Sequence, residues 1–385
     1  MTLDWRSKLV ASQASAPAGF HSLVTPVYRG STTLFERALD TTDTWDRKEA
    51  AYTYGLYGTP TSYELAARVC ELENGRDTFL TPGGQAAIAL IYLAFAGAGD
   101  HVLVPESAYG PNVGLADRVL KRFAIEVERY DPLIGSGIGA LVRANTRVIW
   151  CESPGSVTME VQDVPAIAAE ARKRNVIVAI DNTYSAGVLF DAFAHGADVT
   201  MQALTKYVGG HSDVLLGSVT VREDRYYKAL GDVHQLLGMG VSPDDCSLAL
   251  RGLQTLAVRL DYLEASALVV AQWLSTREEI ETVLHPALPS CPGYEFWARD
   301  FIGSTSVFSI VFKSGIPQHR IRAFVDELKV FKIGYSWGGV TSLVMPYNVK
   351  RTVRSYGDRL VRLNVGLEPT RDVIDDLERA LSCMA

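Results

Sequence analysis

Two charged residues at the ends of apolar runs carry the first chemical signal. In VIVAIDNTYSAG, residues 176–187, Asp181 ends a strand-like run. In QALTKYVGGHSD, residues 202–213, Lys206 follows another, DVTMQAL. A carboxylate at the carboxyl end of a buried strand is costly unless it has a cationic or donor partner. Opposite charges at neighbouring strand ends can meet in one crevice. One outcome is a structural salt bridge. The other is a lysine that forms a Schiff base while an acid holds a protonated heteroaromatic nitrogen. That second arrangement is what pyridoxal phosphate (PLP) requires.

A cofactor phosphate needs donors at a helix start. TPGGQAAIAL supplies them: Gly83 and Gly84 allow close approach, and the amides of Gly84 and Gln85 open a helix expected over 84–96. Thr205, next to Lys206, could add a hydroxyl. Tyr109, in VPESAYGP, offers an aromatic face to a cofactor ring; the alternative is an ordinary loop tyrosine. Arg362, in LVRLNVGLE, offers a guanidinium fork for an α-carboxylate. Its alternative is a strand arginine pairing with Glu368 or Asp358.

The elements that must hold these residues follow from hydrophobic patterning. Strand-like runs fall at 101–105, 124–130, 147–150, 176–180, 198–204 and 213–221, with helical patterns at 111–123 and 164–175 between them. Short apolar strands separated by helices mean an α/β, mainly parallel sheet covered on both faces, with ligands at the carboxyl ends of the strands. Before it, TSYELAARVCELENG reads as a helix capped by Thr61 with Glu64 and stopped at Gly75. After Val221 one long helix is expected over 244–279, then a break at 285–293, then mixed strands and helices. The expected organisation is an arm at 1–50, a large cofactor-binding domain at 51–243 and a smaller C-terminal α+β domain at 244–385.

Other chemistries fit poorly. GSGIGA at 135–140 has the spacing of a dinucleotide loop, but no long helix follows it and no acid ends a strand at the right distance. There is no P-loop and no H-E-x-x-H, and the seven histidines are not at ligand spacing, so no metal is expected. Lys and Arg number 37 against 44 Asp and Glu and are scattered, which leaves no nucleic-acid footprint. Five cysteines without a CxxC pair argue against a disulfide framework. The longest apolar run, residues 86–99, is short of the roughly 18 residues a membrane helix needs and reads as a buried helix. No secretory signal is read at the N-terminus, and a reducing, cytoplasmic setting is expected.

The chain resembles the Cys/Met-metabolism group of PLP enzymes over nearly its whole length. The segments that carry the resemblance are ESPGSVTMEVQD (152–163), IDNTYSAG (180–187), TKYVGGHSDVLLG (205–217), YSWGGVTSL (335–343) and VRLNVGLEP (361–369). ESPGS, with Ser156, and SWGG are similar to the cystathionine β-lyase branch rather than the γ branches. The resemblance implies the fold-type I PLP-dependent transferase fold, with a seven-stranded sheet, and a homotetramer built as a dimer of active dimers. It implies that Lys206 carries the cofactor and that Asp181 pairs with the pyridine nitrogen. Tyr109 would stack on the ring, and Gly84, Gln85 and Thr205 would hold phosphate. Arg362 would take the substrate carboxylate, Ser336 and Trp337 would shape the substrate site, and Tyr54 would reach the neighbouring subunit's site.

The implied reaction is β-elimination from cystathionine, giving homocysteine, pyruvate and ammonia, with Lys206 as the base and Tyr54 or Tyr109 assisting. L-Cystine and other cysteine S-conjugates are further substrates of the same chemistry. γ-Elimination or γ-replacement on the same scaffold is the alternative, and a non-catalytic scaffold is the minor one. Three departures stand out. Leu56 occupies the place of a phosphate-binding arginine, Ala203 that of a serine, and Thr341 that of a glutamate.

Overall fold

Seven strands build the large sheet of the computed structural model, which describes residues 4–10, 19 and 22–384. They are β1 (Asp77–Thr81), β2 (His101–Pro105), β3 (Glu126–Tyr130), β4 (Thr146–Glu152), β5 (Ile177–Asp181), β6 (Val199–Gln202) and β7 (Gly217–Val221). Their spatial order is β1-β7-β6-β5-β4-β2-β3. Pairings among β3, β2, β4, β5 and β6 are parallel, and β7 runs antiparallel to both of its neighbours. The mainly parallel sheet expected from the apolar runs is therefore present. The chain leaves β2 for β3 on one side and returns to β4 on the other. This reversal opens a crevice at the carboxyl ends of β2 and β4, the usual place for a ligand in an open α/β sheet.

The strands are buried because helices cover them. Among these are α1 (Trp5–Val10), α2 (Pro60–Leu72), α3 (Gly84–Phe95), α4 (Gly110–Arg118), α5 (Val164–Arg172) and α6 (Asp224–Leu236). The apolar run at 86–99 contributes most of α3, whose Ile88, Leu90, Ile91 and Tyr92 have almost no exposed surface. Tyr92 packs on Trp150 of β4 with ring centroids 5.2 Å apart. Each such fully buried large side chain contributes roughly 1.5–3 kcal/mol relative to exposure. Helix and strand are thereby fixed at the two sides of the crevice. No helix among the described residues is long and apolar enough to cross a membrane.

Two further helices, α7 (Pro243–Gln254) and α8 (Leu256–Leu274), stand where one long helix over 244–279 was expected. Thr255 separates them, with a backbone outside the helical region at φ −108°, ψ 5°. The apolar periodicity continues through the bend, so periodicity alone hides it. A second sheet follows, from β8 (Ile280–Leu284), β9 (Val307–Phe312), β10 (Lys332–Ile333), β11 (Leu343–Tyr347) and β12 (Leu360–Asn364), in the order β10-β11-β12-β9-β8. It is antiparallel apart from the short β10–β11 pair. Helices α9 (Tyr294–Asp300), α10 (Gln318–Glu327) and α11 (Thr370–Ser382) complete the chain.

Several boundaries differ from expectation for local reasons. The cap of α2 is Thr59, not Thr61: Pro60 takes the first helical position, and Thr59 and Ser62 exchange the two capping hydrogen bonds, the role expected of Glu64. That helix also ends at Leu72, before Gly75. The pattern at 111–123 gives α4 and then a short 3-10 turn, Leu120–Phe123, and that at 164–175 stops at Arg172. GSGIGA is itself a 3-10 turn, Gly135–Ala140. β1, α6 and β8 stand out little in the sequence, since each is short, half-polar or both.

Candidate active site

The carboxyl ends of β4, β5 and β6, the start of α3 and the loop before β11 surround one cavity of about 330 Å³. Its lining includes Gly84, Gln85, Tyr109, Asp181, Thr205, Lys206, Trp337 and Arg362. Of the ten expected site residues, eight thus line one space. Ser336 touches two of them without lining it. Tyr54 lies elsewhere: it is 47% exposed and forms an isolated bridge with Thr32.

The lysine is held by its backbone. After β6 the chain makes a tight turn in which the Lys206 amide donates to the Ala203 carbonyl at 3.0 Å and the Gly210 amide donates to the Lys206 carbonyl at 2.7 Å. Gly210 has φ +74°, and a Cβ there would lie 2.2 Å from the Arg259 guanidinium. Arg259, buried in α8, donates to the Tyr207 carbonyl at 2.7 Å and so locks the turn from behind. Burial lowers that guanidinium to about 10. From the other side Gly338, at φ +81°, brings its backbone against the lysine: a Cβ would sit 3.1 Å from the Tyr207 nitrogen and 3.2 Å from the Lys206 carbonyl carbon.

The Lys206 ammonium donates to the Ser336 hydroxyl at 2.6 Å and lies 5.4 Å from the Trp337 ring. Burial, then the nearby Arg362 charge, pull its pKa down to about 8, against the pull of Asp181. Asp181 ends β5 beside Glu152, its partner across the β4–β5 pair. One Asp181 oxygen accepts the Thr183 amide at 3.0 Å. Withdrawal from water raises the Asp181 pKa, opposed by Thr183 and Lys206. The structural salt bridge is not what is found: Lys206 donates to a hydroxyl, and Asp181 is held by an amide. A carboxylate raised by burial on a cavity wall suits a partner that carries a proton, such as a pyridine nitrogen.

The phosphate cradle has a similar logic. The first amides of α3 have no intrahelical acceptor. Gly83 has open space where a side chain would stand, whereas a Cβ on Gly84 would lie 2.7 Å from the Ala203 Cβ. Gln85 donates to the Pro111 carbonyl at 3.1 Å, and its side-chain oxygen is buried without a partner. The Thr205 hydroxyl is engaged by Leu216, donating to its carbonyl at 3.2 Å and accepting its amide at 3.1 Å. The single O–H of Thr205 thus goes to Leu216 rather than to a phosphate, the role expected of it. The amides at the start of α3, the glycine opening and the acid–lysine pair fit PLP: the start of α3 would hold its phosphate, Asp181 its ring nitrogen and Lys206 its carbonyl carbon.

Tyr109 precedes α4 and is 42% exposed, which leaves a ring face open. Its amide donates to the Glu152 carboxylate at 2.7 Å across the β2–β4 reversal. The strand expected over 147–150 stops short of Glu152, so no local signal marks it as a carboxylate at a strand end. Burial, then Asp181, push its pKa well above the ordinary carboxylate range. Arg362 of β12 pairs with neither Glu368 nor Asp358. It donates to the Tyr347 hydroxyl and to the Ser336 carbonyl, both at 2.8 Å, and burial lowers its pKa. Glu368 instead accepts from Ser342. Among the described residues the fork therefore has no carboxylate partner. Leu56 packs by its Cδ1 near Gly240 and lines a different cavity, beside Trp45 and Tyr227. Thr341 contributes its carbonyl to the Asn364 side chain at 3.2 Å.

A family model described as Cys/Met metabolism PLP-dependent enzyme matches residues 6–382. The chain is 39% identical over 376 residues to a cystathionine β-lyase of Haemophilus influenzae, covering 94% of each chain. It is 41% identical over 344 residues to the cystathionine β-lyase of Escherichia coli, covering 87% of each. A solved structure, the cystathionine γ-synthase of Xanthomonas oryzae pv. oryzae, superposes with TM-score 0.92 at 27% identity, covering 100% of this chain and 99% of that one.

Proposed function

The chain belongs to the Cys/Met metabolism PLP-dependent enzymes, with their fold-type I architecture, and from that premise we propose that it is a carbon–sulfur β-lyase. Its substrates are cysteine S-conjugates, with cystathionine as the reference. The observation that carries the reading is a lysine whose pKa is brought to about 8, on the same cavity wall as a guanidinium fork that has no carboxylate partner among the described residues. Those two groups are what removal of a Cα proton from a held amino acid requires.

When bound, PLP supplies a protonated ring that accepts the electron pair left at Cα. Every other part falls to the protein. Arg362 binds the α-carboxylate in a fork and orients the Cα–H bond. Lys206, in its neutral form, takes that proton; a positioned base contributes roughly 10²–10⁴-fold. Asp181 holds the proton on the ring nitrogen. Tyr109 would cover a ring face, and Trp337 lines the cavity beside Lys206. The Cβ–S bond then breaks, and Lys206, with Tyr109 or the Tyr54 of a second subunit, returns a proton to sulfur. In balance, a cysteine S-conjugate and water give a thiol, pyruvate and ammonia. With cystathionine the thiol is homocysteine.

Among the observations in favour of the γ reading is the full-length likeness to a γ-synthase. It would require a second proton acceptor at Cβ. The keto acid separates the two: pyruvate from β-elimination, 2-oxobutyrate from γ-elimination of cystathionine. Borohydride reduction of the holoenzyme followed by peptide mass analysis tests the lysine. The adduct is expected on Lys206, and Lys206→Ala is expected to abolish turnover. A homotetramer of active dimers, a cytoplasmic setting and the division into arm (1–50), large domain (51–243) and small domain (244–385) complete the proposal. Sedimentation velocity checks the assembly.

A further inference from the structure

Cysteine S-conjugates share one half and differ only in what the sulfur carries. The groups for the shared half are Arg362 and Lys206, and these are the cationic side chains that line the cavity among the described residues. Cystathionine adds a second amino-carboxylate at its far end. A charged pair brought into such a space needs partners of its own, or its desolvation goes uncompensated. The lining carboxylates, Asp181 and Glu152, are neighbours at paired strand ends, and Glu152 is bonded to the Tyr109 amide. Both belong to the floor.

The remaining wall carries no charge: Val157, Met159, Leu215, Val307 and Trp337 give it carbon, and its polar members, Ser156, Thr183 and Tyr184 among them, are neutral. Two of these residues come from a strained turn. Val157 has φ +69° and Met159 φ +59°. A β-branched residue with positive φ is an outlier, and such strain persists only where the surroundings enforce it. Arg351 provides that enforcement from outside the cavity. It donates to the Ser156 carbonyl at 2.8 Å, reaches the Thr158 hydroxyl, and pairs with Glu160 at 3.3 Å. Ser309 of β9 donates to the Val157 carbonyl at 2.5 Å. At Val157 and Met159 the turn thus presents carbon to the cavity, beside the neutral Ser156, while Arg351 and Glu160 do not line it. At the mouth, Leu215 is 71% exposed. The Tyr54 segment would bring no cation either, since no Lys or Arg occurs between Lys48 and Arg68.

We propose that the space beyond Lys206 and Arg362 is a leaving-group pocket for an uncharged, apolar sulfur substituent, so that S-alkyl and S-aralkyl conjugates of cysteine are favoured over conjugates bearing a second amino-carboxylate. This rests on the β-lyase reading above. The two substrate types share the bonds made and broken. Only the released thiol differs, and both thiols leave as ordinary alkyl thiols.

The test compares S-(3-methylbutyl)-L-cysteine with L-cystathionine on the holoenzyme. The two match in the cysteine half, in the thioether and closely in length. The expected result is pyruvate from both, with kcat/KM about tenfold or more higher for the alkyl conjugate. Leu215→Arg sets a cation at the mouth and should cut that ratio several-fold. Calorimetric dissociation constants for the cofactor-loaded Lys206→Ala protein should show the same order without turnover. Equal or better use of cystathionine, with pyruvate from both, overturns the apolar pocket and leaves the β-lyase reading standing. A ratio unchanged by Leu215→Arg likewise overturns the pocket as drawn. 2-Oxobutyrate from cystathionine, with no pyruvate from the alkyl conjugate, overturns the β-lyase reading itself.

Discussion

Lys206 and Ser336 meet at 2.6 Å, ammonium to hydroxyl, and the carbonyl of the same serine accepts a hydrogen bond from Arg362. One residue of the small sheet's loop therefore ties the proposed base to the proposed carboxylate fork. Ser336 makes both contacts with φ +80°, a conformation that a non-glycine residue adopts only when its neighbours require it. The serine hydroxyl is an acceptor for the charged lysine, so it favours the ammonium, while burial favours the neutral amine.

A pH prediction follows from that balance. The neutral amine is the reactive form, and its pKa is lowered to about 8 by burial and Arg362. In cofactor-free protein the rate of Lys206 modification by an amine-specific reagent should rise with pH, reach half its maximum near 8, and level off above. An ordinary lysine would still be rising at pH 10. Ser336→Ala removes the acceptor and should move the midpoint lower. Mass analysis of the Lys206 peptide across pH reads both. A midpoint near 10 would remove the geometric basis for a neutral base.

Arg362→Lys tests the fork. A lysine keeps the charge but loses the second parallel donor. Its ammonium would also be drawn to the Tyr347 hydroxyl and Ser336 carbonyl that Arg362 now contacts. Loss of a charge-assisted hydrogen bond costs about 1.5–3 kcal/mol, so KM should rise roughly tenfold to a hundredfold, with a smaller fall in kcat. Steady-state kinetics decide it: a large fall in kcat with KM unchanged would assign Arg362 to the chemical step instead of to binding.

Much of this site was legible because its residues sit where periodicity changes. Asp181 and Lys206 each end an apolar run, and the paired glycines precede an unmistakable helix. Glu152 was not legible: its role depends on β4 lying beside β5 and on the crossover that brings Tyr109 to it, neither of which leaves a local mark. The same holds for Arg351, which lies far from residues 156–160 in the chain and touches them only once the small sheet is in place. The bend at Thr255 leaves no mark in the sequence because both helices keep one apolar face. Thr59 caps α2 because Pro60 takes the first helical position, two residues earlier than the Thr61–Glu64 spacing indicates.

Gly84 and Ala203 form a second coupled pair. The Ala203 Cβ lies 2.7 Å from where a side chain on Gly84 would begin, and the Ala203 amide donates to the Thr183 hydroxyl at 2.9 Å. Gly84→Ala should therefore push the start of α3 away from β6 and weaken cofactor retention. Ala203→Gly opens the space, so the double variant should recover part of the loss. The dissociation rate of PLP, followed by its visible absorbance, reads the cycle. Additive effects would show that α3 yields without pressing on Ala203.

Arg351 and Glu160 give the last prediction. Their side chains are 6% and 1% exposed, so the pair is buried, and Arg354 lies 3.6 Å from the same carboxylate. Removing one partner of a buried pair strands the other charge. Arg351→Ala should destabilise the protein by about 3 kcal/mol, at the lower end of such losses because Arg354 still faces Glu160. Glu160→Gln should cost less, since Arg351 retains the Ser156 carbonyl and the Thr158 hydroxyl. In a double-mutant cycle the two changes should couple, the Ala–Gln double variant being more stable than the sum of the single effects predicts. Urea denaturation measures that coupling. Function should move with it: the strained Val157–Met159 turn loses its tether in Arg351→Ala, and KM for S-alkyl conjugates should rise while the rate of Lys206 modification in cofactor-free protein stays unchanged. If KM holds while stability falls, the arginine supports the fold without shaping the pocket wall.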